Sequence, residues 1–302
     1  MNRLLIVGGS GFFGKSIIDY GIKKNLIKHK INKIYIIARK KRDKKKIKYK
    51  HLEINFISKD FNKIKKIPEV EFIIYCIKNN SLIKSNEYFE KFKKLILKFK
   101  KKPKILFTSS GAIYGKNKNK IKLLESKKID FKKINNLNGY KKKYALEKLF
   151  IENKFKDLTK LKYDVTIARC FNFIGKHILK SNQAIAEFIN DGFNKSCIKL
   201  KTSDNIYRGF MHADDLSNWL IHILKKANKT CPIYNVGSDK KINLKLLGQK
   251  ISKIFKKKFK SNKINNQNID YYVPSINKAK KILNLKISIN LNDALNSTIN
   301  FK

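Results

Sequence analysis

The 302-residue chain carries 71 Lys plus Arg against 22 Asp plus Glu, a formal charge of +49, and 42% of it is hydrophobic. That apolar content fills a substantial core and excludes disorder as a description of the whole. The charge points first to a nucleic acid or an anionic membrane, but only five of the basic residues are Arg, and the 66 Lys lie along the entire length. No basic helix-turn-helix or interleaved aromatic signature accompanies them, so the surplus reads as the background of an AT-rich coding bias, and a nucleic-acid partner is not expected. Cys76, Cys170, Cys197 and Cys231 lack the close spacing of a zinc or redox motif. The MNRLLIVGG start ends in glycines without a long apolar signal core, and no apolar run is long enough to span a bilayer. A cytoplasmic protein with reduced thiols, no metal and no membrane contact is expected.

Short Ile-rich runs at Leu4 to Val7, Ile34 to Ala38, Ile54 to Ile57, Glu71 to Ile77 and Ile105 to Thr108 have the length and flanks of buried strands. Helical patterns separate them, clearest at Tyr88 to Phe99 and Tyr140 to Phe155, and Val165 to Cys170 is a further strand. This alternation predicts an α/β protein built on a Rossmann-type, doubly wound parallel sheet. Lys116 to Lys122 reads as a low-complexity exposed loop. Beyond residue 175 the expected elements are helices at Gln183 to Phe193 and Ala213 to Lys226, extended segments at Ile198 to Lys201 and Pro232 to Val236, and a helical Lys-Ile tail. The expected division is a dinucleotide-binding domain over 1–173, with 205–240 returning to it, and a smaller C-terminal substrate lobe over 174–302.

Directly after the first strand stand Gly8, Gly9, Ser10, Gly11, Phe12, Phe13 and Gly14. Glycines there permit a tight turn and let backbone N–H groups approach a pyrophosphate at the positive end of a helix. The second strand ends in Ala38-Arg39-Lys40, without the acidic residue that would hold the ribose hydroxyls of NAD. Arg39, with Lys40 or Arg42, suits a 2′-phosphate, so NADP is favoured and NAD is the alternative. Asp60, followed by Phe61, either accepts from the adenine amino group or caps a turn.

Tyr144 and Lys148, four residues apart, share one helical face. A nearby ammonium favours the phenolate, and so lowers a tyrosine toward acid–base work near neutral pH. Tyr140 has Tyr144 rather than Lys four residues on, which leaves Tyr144 as the fitting residue. The run Thr108-Ser109-Ser110 ends a strand where a hydroxyl faces the same crevice.

The ordered set GGSGFFG, SSGAIYG, YALEK, RCFNFIG, YRGFMHADDL and YNVGS, which covers nearly the whole chain, resembles the extended short-chain dehydrogenase/reductase family of nucleotide-sugar epimerases, dehydratases and reductases. The resemblance implies that Ser110 bonds the reacting oxygen, Tyr144 transfers the proton and Lys148 holds the nicotinamide ribose. It also implies that Phe171 lies beside the cofactor, that Asn172 and Arg208 contact the diphosphate of a nucleoside-diphosphate sugar, and that the protein is a homodimer. Arg169 opens the RCFNFIG motif and either serves the substrate or pairs with a surface carboxylate. His212 reads as structural, and Asp214-Asp215 as the start of the helix that carries Trp219.

Two departures narrow the chemistry. Ile77 stands where the family has a small residue beside the cofactor, and Gly111-Ala112 replaces the Asp-Glu pair of the family's dehydratases. The expected activity is NADPH-dependent reduction of a 4-keto-6-deoxy nucleoside-diphosphate sugar. A 4-epimerase retaining NAD comes second and a dehydratase last. A non-catalytic RNA-binding or regulatory protein is the alternative of another class.

Overall fold

The structure, a computed structural model, describes residues 2–39, 46–79 and 81–301. Lys40 and Arg42 lie outside them. The first half runs β1 (Asn2–Val7), α1 (Phe12–Ile22), β2 (Ile31–Ala38), β3 (Lys46–Tyr49), β4 (Leu52–Ser58), β5 (Phe72–Tyr75), α2 (Leu82–Ile96) and β6 (Lys104–Ser110). Then come α3 (Phe131–Asn135), α4 (Gly139–Asp157), β7 (Asp164–Cys170), β8 (Asn172–Ile174), α5 (Ala184–Asn194), β9 (Cys197–Leu200), β10 (Asp204–Arg208), β11 (Phe210–His212), α6 (Ala213–Lys225) and β12 (Ile233–Val236). The chain closes with β13 (Ile242–Asn243), α7 (Leu244–Ile254), β14 (Lys258–Ser261), β15 (Asn265–Tyr272), α8 (Asn277–Leu283) and α9 (Leu291–Ile299).

Two compact units result. The first holds residues 1–113, 137–170 and 217–234; the second holds 114–136, 171–216 and 235–302. The second unit thus includes 114–136, which the expected division assigns to the dinucleotide-binding domain. Its Asn117 supplies the reason, since the buried amide donates to Ile121 O and Tyr271 O and so ties the loop to β15.

The main sheet has the order β12-β7-β6-β5-β1-β2-β4-β3. The pairs from β7 through β4 are all parallel, and β3 adds an antiparallel edge. Its winding reverses between β1 and β5, and at such a switch point the loops leaving the strands diverge and open a crevice at their carboxyl ends. The fold is the Rossmann-type α/β sheet that the alternating runs imply. Leu4 to Val7 of β1 and Ile73 to Tyr75 of β5 are buried on both faces, as a central parallel sheet requires.

Aromatic packing sets the site helix on this sheet. Phe155 of α4 stacks on Phe107 of β6 with ring centroids 4.7 Å apart, and lies 5.2 Å from Tyr75 and 5.1 Å from Phe89 of α2. Asn138 caps α4 by accepting from Lys141 N at 3.1 Å. With its start capped and its second half wedged into the core, α4 keeps Tyr144 and Lys148 at a fixed height over the end of β6.

The second unit carries a small sheet in the order β13-β10-β15, with β10 parallel to β15 and antiparallel to β13. β14 pairs with β9, and β8 with β11. The expected Lys-Ile helical tail is therefore α7, two strands, α8 and α9. No described helix is long and apolar enough to cross a membrane, and no metal-binding group of three or more His, Cys, Asp or Glu occurs among the described residues.

Candidate active site

The glycine loop sits at the switch point. Gly8 has φ +90°, and a Cβ there would lie 2.8 Å from Ile77 N, so both its conformation and its space call for glycine. At Gly14 a Cβ would collide with the Gly9 backbone; its absence lets α1 start close against the turn. The N-cap of α1 is Gly11, which brings no side-chain acceptor to the helix's positive end. Ser10 and Gly11 are exposed, while Phe12 and Phe13 are half-buried, edge-to-face with centroids 6.0 Å apart.

This loop forms one wall of a cavity of about 220 Å³ that also takes in Arg39 after β2, Phe61 after β4, Cys76 to Asn79 after β5, and Tyr88 of α2. Its residues fit a dinucleotide, with glycine-lined backbone for the pyrophosphate and the exposed Arg39 in the same wall. Asp60 is the N-cap of the short turn 61–63, accepting from Asn62 N at 3.0 Å and from the Tyr88 hydroxyl at 3.2 Å. Of the two readings of Asp60, the structure displays the cap.

Ser110 ends β6 and is buried; its Oγ accepts from Ala112 N at 3.2 Å, and its side chain acts on the half-buried Tyr144 phenol. Lys148, 3% exposed, donates from Nζ to Ile77 O at 3.2 Å and lies 5.0 Å over the Phe107 ring centroid. Ser110, Tyr144, Lys148 and the glycine loop are thus brought together within the first unit.

The expectation that Lys148 lowers Tyr144 is corrected. Burial pushes the Tyr144 phenol well above its ordinary range, and the Ser110 hydrogen bond offsets this only in part. Burial also pulls the Lys148 ammonium below its ordinary value. The ammonium stands 5.8 Å from the Tyr144 ring centroid and is aimed at a carbonyl.

Phe171, Asn172 and Arg208 belong to the second unit. Phe171 is buried against Tyr272 at 4.7 Å and Tyr114 at 6.2 Å between centroids. Asn172 opens β8, and its Nδ2 is buried without a hydrogen-bond partner. A buried unpaired donor is costly, so this amide is where an oxygen-rich ligand would be most welcome. Arg208 closes on its own neighbourhood. Nη2 pairs with Asp270 Oδ2 at 2.6 Å, Nη1 donates to Tyr207 O and Asp270 O, and the Tyr272 ring centroid lies 5.4 Å away. Arg169 is corrected as well, because its carboxylate partner is buried rather than at the surface. It binds Glu152 of α4 in bidentate fashion at 3.1 and 2.9 Å, with the side chains 4% and 0% exposed. His212 accepts from Asp214 N through Nδ1, a structural contact, and Asp215 accepts from Ser288 N and Ile289 N besides standing in the first turn of α6.

A family model described as the NAD dependent epimerase/dehydratase family matches residues 4–237. The chain belongs to that family. Among solved structures, Pal from Bacillus thuringiensis is 18% identical with a TM-score of 0.74, the match covering 99% of this chain and 98% of that one. DesIV, a dTDP-glucose 4,6-dehydratase from Streptomyces venezuelae with NAD bound, is 13% identical with a TM-score of 0.75, covering 99% and 96%. The UDP-N-acetylglucosamine 4-epimerase from Bacillus cereus is 16% identical with a TM-score of 0.72, covering 100% and 96%. These likenesses establish the fold. No curated protein matches the sequence.

Two further residues close to Tyr144 and Lys148 were not singled out from sequence. Glu147, beside Lys148, is 3% exposed; its Oε1 accepts from Ser85 of α2 at 2.8 Å and its Oε2 has no partner. Burial holds its carboxyl above the usual range, with Lys148 opposing. Lys78, in the loop after β5, places Nζ 5.3 Å from the Tyr144 ring centroid and 5.5 Å from that of Tyr140. The YALEK spacing alone offered a signal for Glu147, since a carboxylate three residues from Tyr144 shares its helical face. For Lys78 there was none in so Lys-rich a chain.

Proposed function

We propose that the chain is an NADPH-dependent reductase of a 4-keto-6-deoxy nucleoside-diphosphate sugar. The observation that carries this reading is the Ser110–Tyr144–Lys148 group, with Ser110 and Lys148 buried and Tyr144 half-buried, in the same unit as the glycine cradle. When bound, the dinucleotide supplies the hydride. Tyr144 donates its phenolic proton to the alkoxide forming at C4, while the Ser110 hydroxyl, held in place by Ala112 N, stabilises the developing charge. Lys148 is anchored at Ile77 O and keeps further N–H donors for a ribose hydroxyl. In the second unit the unpaired Asn172 amide is a contact for the sugar diphosphate, and Arg208 becomes one by exchanging Asp270 for phosphate.

The runner-up, a 4-epimerase retaining NAD, would use the same Ser110, Tyr144 and Lys148. Arg39 supports the reductase reading, because a guanidinium suits the 2′-phosphate of NADP and NAD has none. The reading includes a cytoplasmic homodimer. Titration of the protein with NADP and NAD tests the cofactor: tighter NADP binding that Arg39→Ala abolishes is expected, and a preference for NAD would favour the epimerase.

A further inference from the structure

The second unit contains a cavity of about 1450 Å³ that has no part in the site described above. Alternation along β10 separates the two. Arg208 lies on one face with Asp270 and Tyr272, whereas Asn205 and Tyr207 line the cavity from the other. Six lysines stand in its wall, Lys240, Lys241, Lys245, Lys250, Lys253 and Lys263, and no Asp or Glu does. All six are exposed, and none pairs with a carboxylate among the described residues.

Lysine is common throughout this chain, so its frequency in the wall distinguishes nothing. The arrangement does. Helix α7 buries Leu244, Leu247 and Ile251 and turns Lys245, Gln249, Lys250 and Lys253 to the cavity, a polar stripe at i, i+4, i+5 and i+8 in which three of the four residues are lysines. Lys241, also in the wall, holds its Nζ 5.9 Å from the Tyr207 and Tyr271 ring centroids. Asn243 and Asn290, the N-caps of α7 and α9, also line the wall and put two positive helix ends beside the lysines. A concave wall of one sign focuses its field, which a convex surface of equal charge does not. The volume exceeds the usual range for a single small ligand, roughly 300–1,000 Å³.

We infer that this cavity binds a phosphate chain, its charges met by the six lysines, independently of the reaction proposed above. Such a chain comes from two sources, a single-stranded oligonucleotide or inorganic polyphosphate. Tyr207 discriminates between them, because bases stack on an aromatic ring and bare phosphates do not.

The test is binding of a fluorescent oligothymidylate across a salt series, with inorganic polyphosphate as competitor. Engagement of all six lysines gives a slope of log affinity against log salt of about −4, which is roughly a 300-fold loss between 50 and 200 mM. The double variant Lys245→Gln, Lys253→Gln should make the slope shallower by about 1.4. The control pair Lys98→Gln, Lys101→Gln, exposed on the first unit, should leave it unchanged. Weakening of the oligonucleotide alone by Tyr207→Leu assigns nucleic acid as the source, and no change in either ligand assigns polyphosphate. Absence of binding, or an equal loss from the control pair, would overturn the site.

Discussion

In the first unit the ammonium of Lys148 is anchored on a carbonyl over an aromatic face, and Tyr144 stands near Ser110 at the end of a buried strand. In the second unit Arg208 has already closed on Asp270, and Phe171 is packed among tyrosines. One unit therefore presents Ser110, Tyr144 and Lys148, the proposed reacting groups, in positions set by backbone and core. The other presents a cation that must release an internal partner before it can serve a ligand. Preorganisation favours the first for chemistry, while exchangeable contacts suit the second for binding.

The largest effect should come from the fixed unit. Tyr144→Phe removes the proton donor and should lower turnover by about 10²- to 10⁴-fold with the fold intact. Because burial raises the phenol's pKa, the wild-type reduction rate should stay flat as pH rises from neutral and fall only well above the ordinary tyrosine range. A fall near pH 7 would put the proton on another group. Next in size, Glu152→Ala strands the buried Arg169 guanidinium and should cost about 3–5 kcal/mol in denaturant unfolding; an unchanged midpoint would show that the pair contributes no rigidity.

A smaller loss in the same unit is switched by acid. His29 is buried with its ring centroid 4.7 Å from that of His222, and burial first, then His222, lowers its pKa from 6.5 to about 4. Between those values the unfolded chain binds the proton that the folded one refuses. Stability is therefore full above pH 6.5 and falls as the pH drops through about 4, by about 3 kcal/mol in all. Replacing His29 with Gln should flatten that part of the pH–stability curve. The smallest effect belongs to the second unit. Asp270→Asn leaves Arg208 without its carboxylate and should tighten nucleotide-sugar binding by on the order of 1 kcal/mol, seen as a lower KM at constant kcat. A weaker complex would mean that the pair shapes the pocket.

What could be read from the residues follows the same division. Ile-rich runs such as Leu4 to Val7 reveal a buried parallel strand because every position must be apolar, and Tyr144 with Lys148 reveals a shared face because helical spacing is local. The edge strand Lys46–Tyr49 escaped because one flank is solvated and its sequence is half lysine. Asn265–Tyr272 escaped because polar residues fill its first half. The Arg208–Asp270 pair depends on the register of β10 against β15, and Arg169–Glu152 on how α4 lies over β7. Neither is a local property, so a motif that names the residue says nothing of the partner already holding it.

Net hydride transfer to a nucleotide sugar is checked by supplying 4-deuterated NADPH with a panel of 4-keto-6-deoxy nucleoside-diphosphate sugars. Deuterium at C4 of the product and one NADP formed per sugar reduced are expected, both lost in Tyr144→Phe. Inversion of a 4-hydroxy sugar without net cofactor oxidation, or no deuterium in any product, would contradict it.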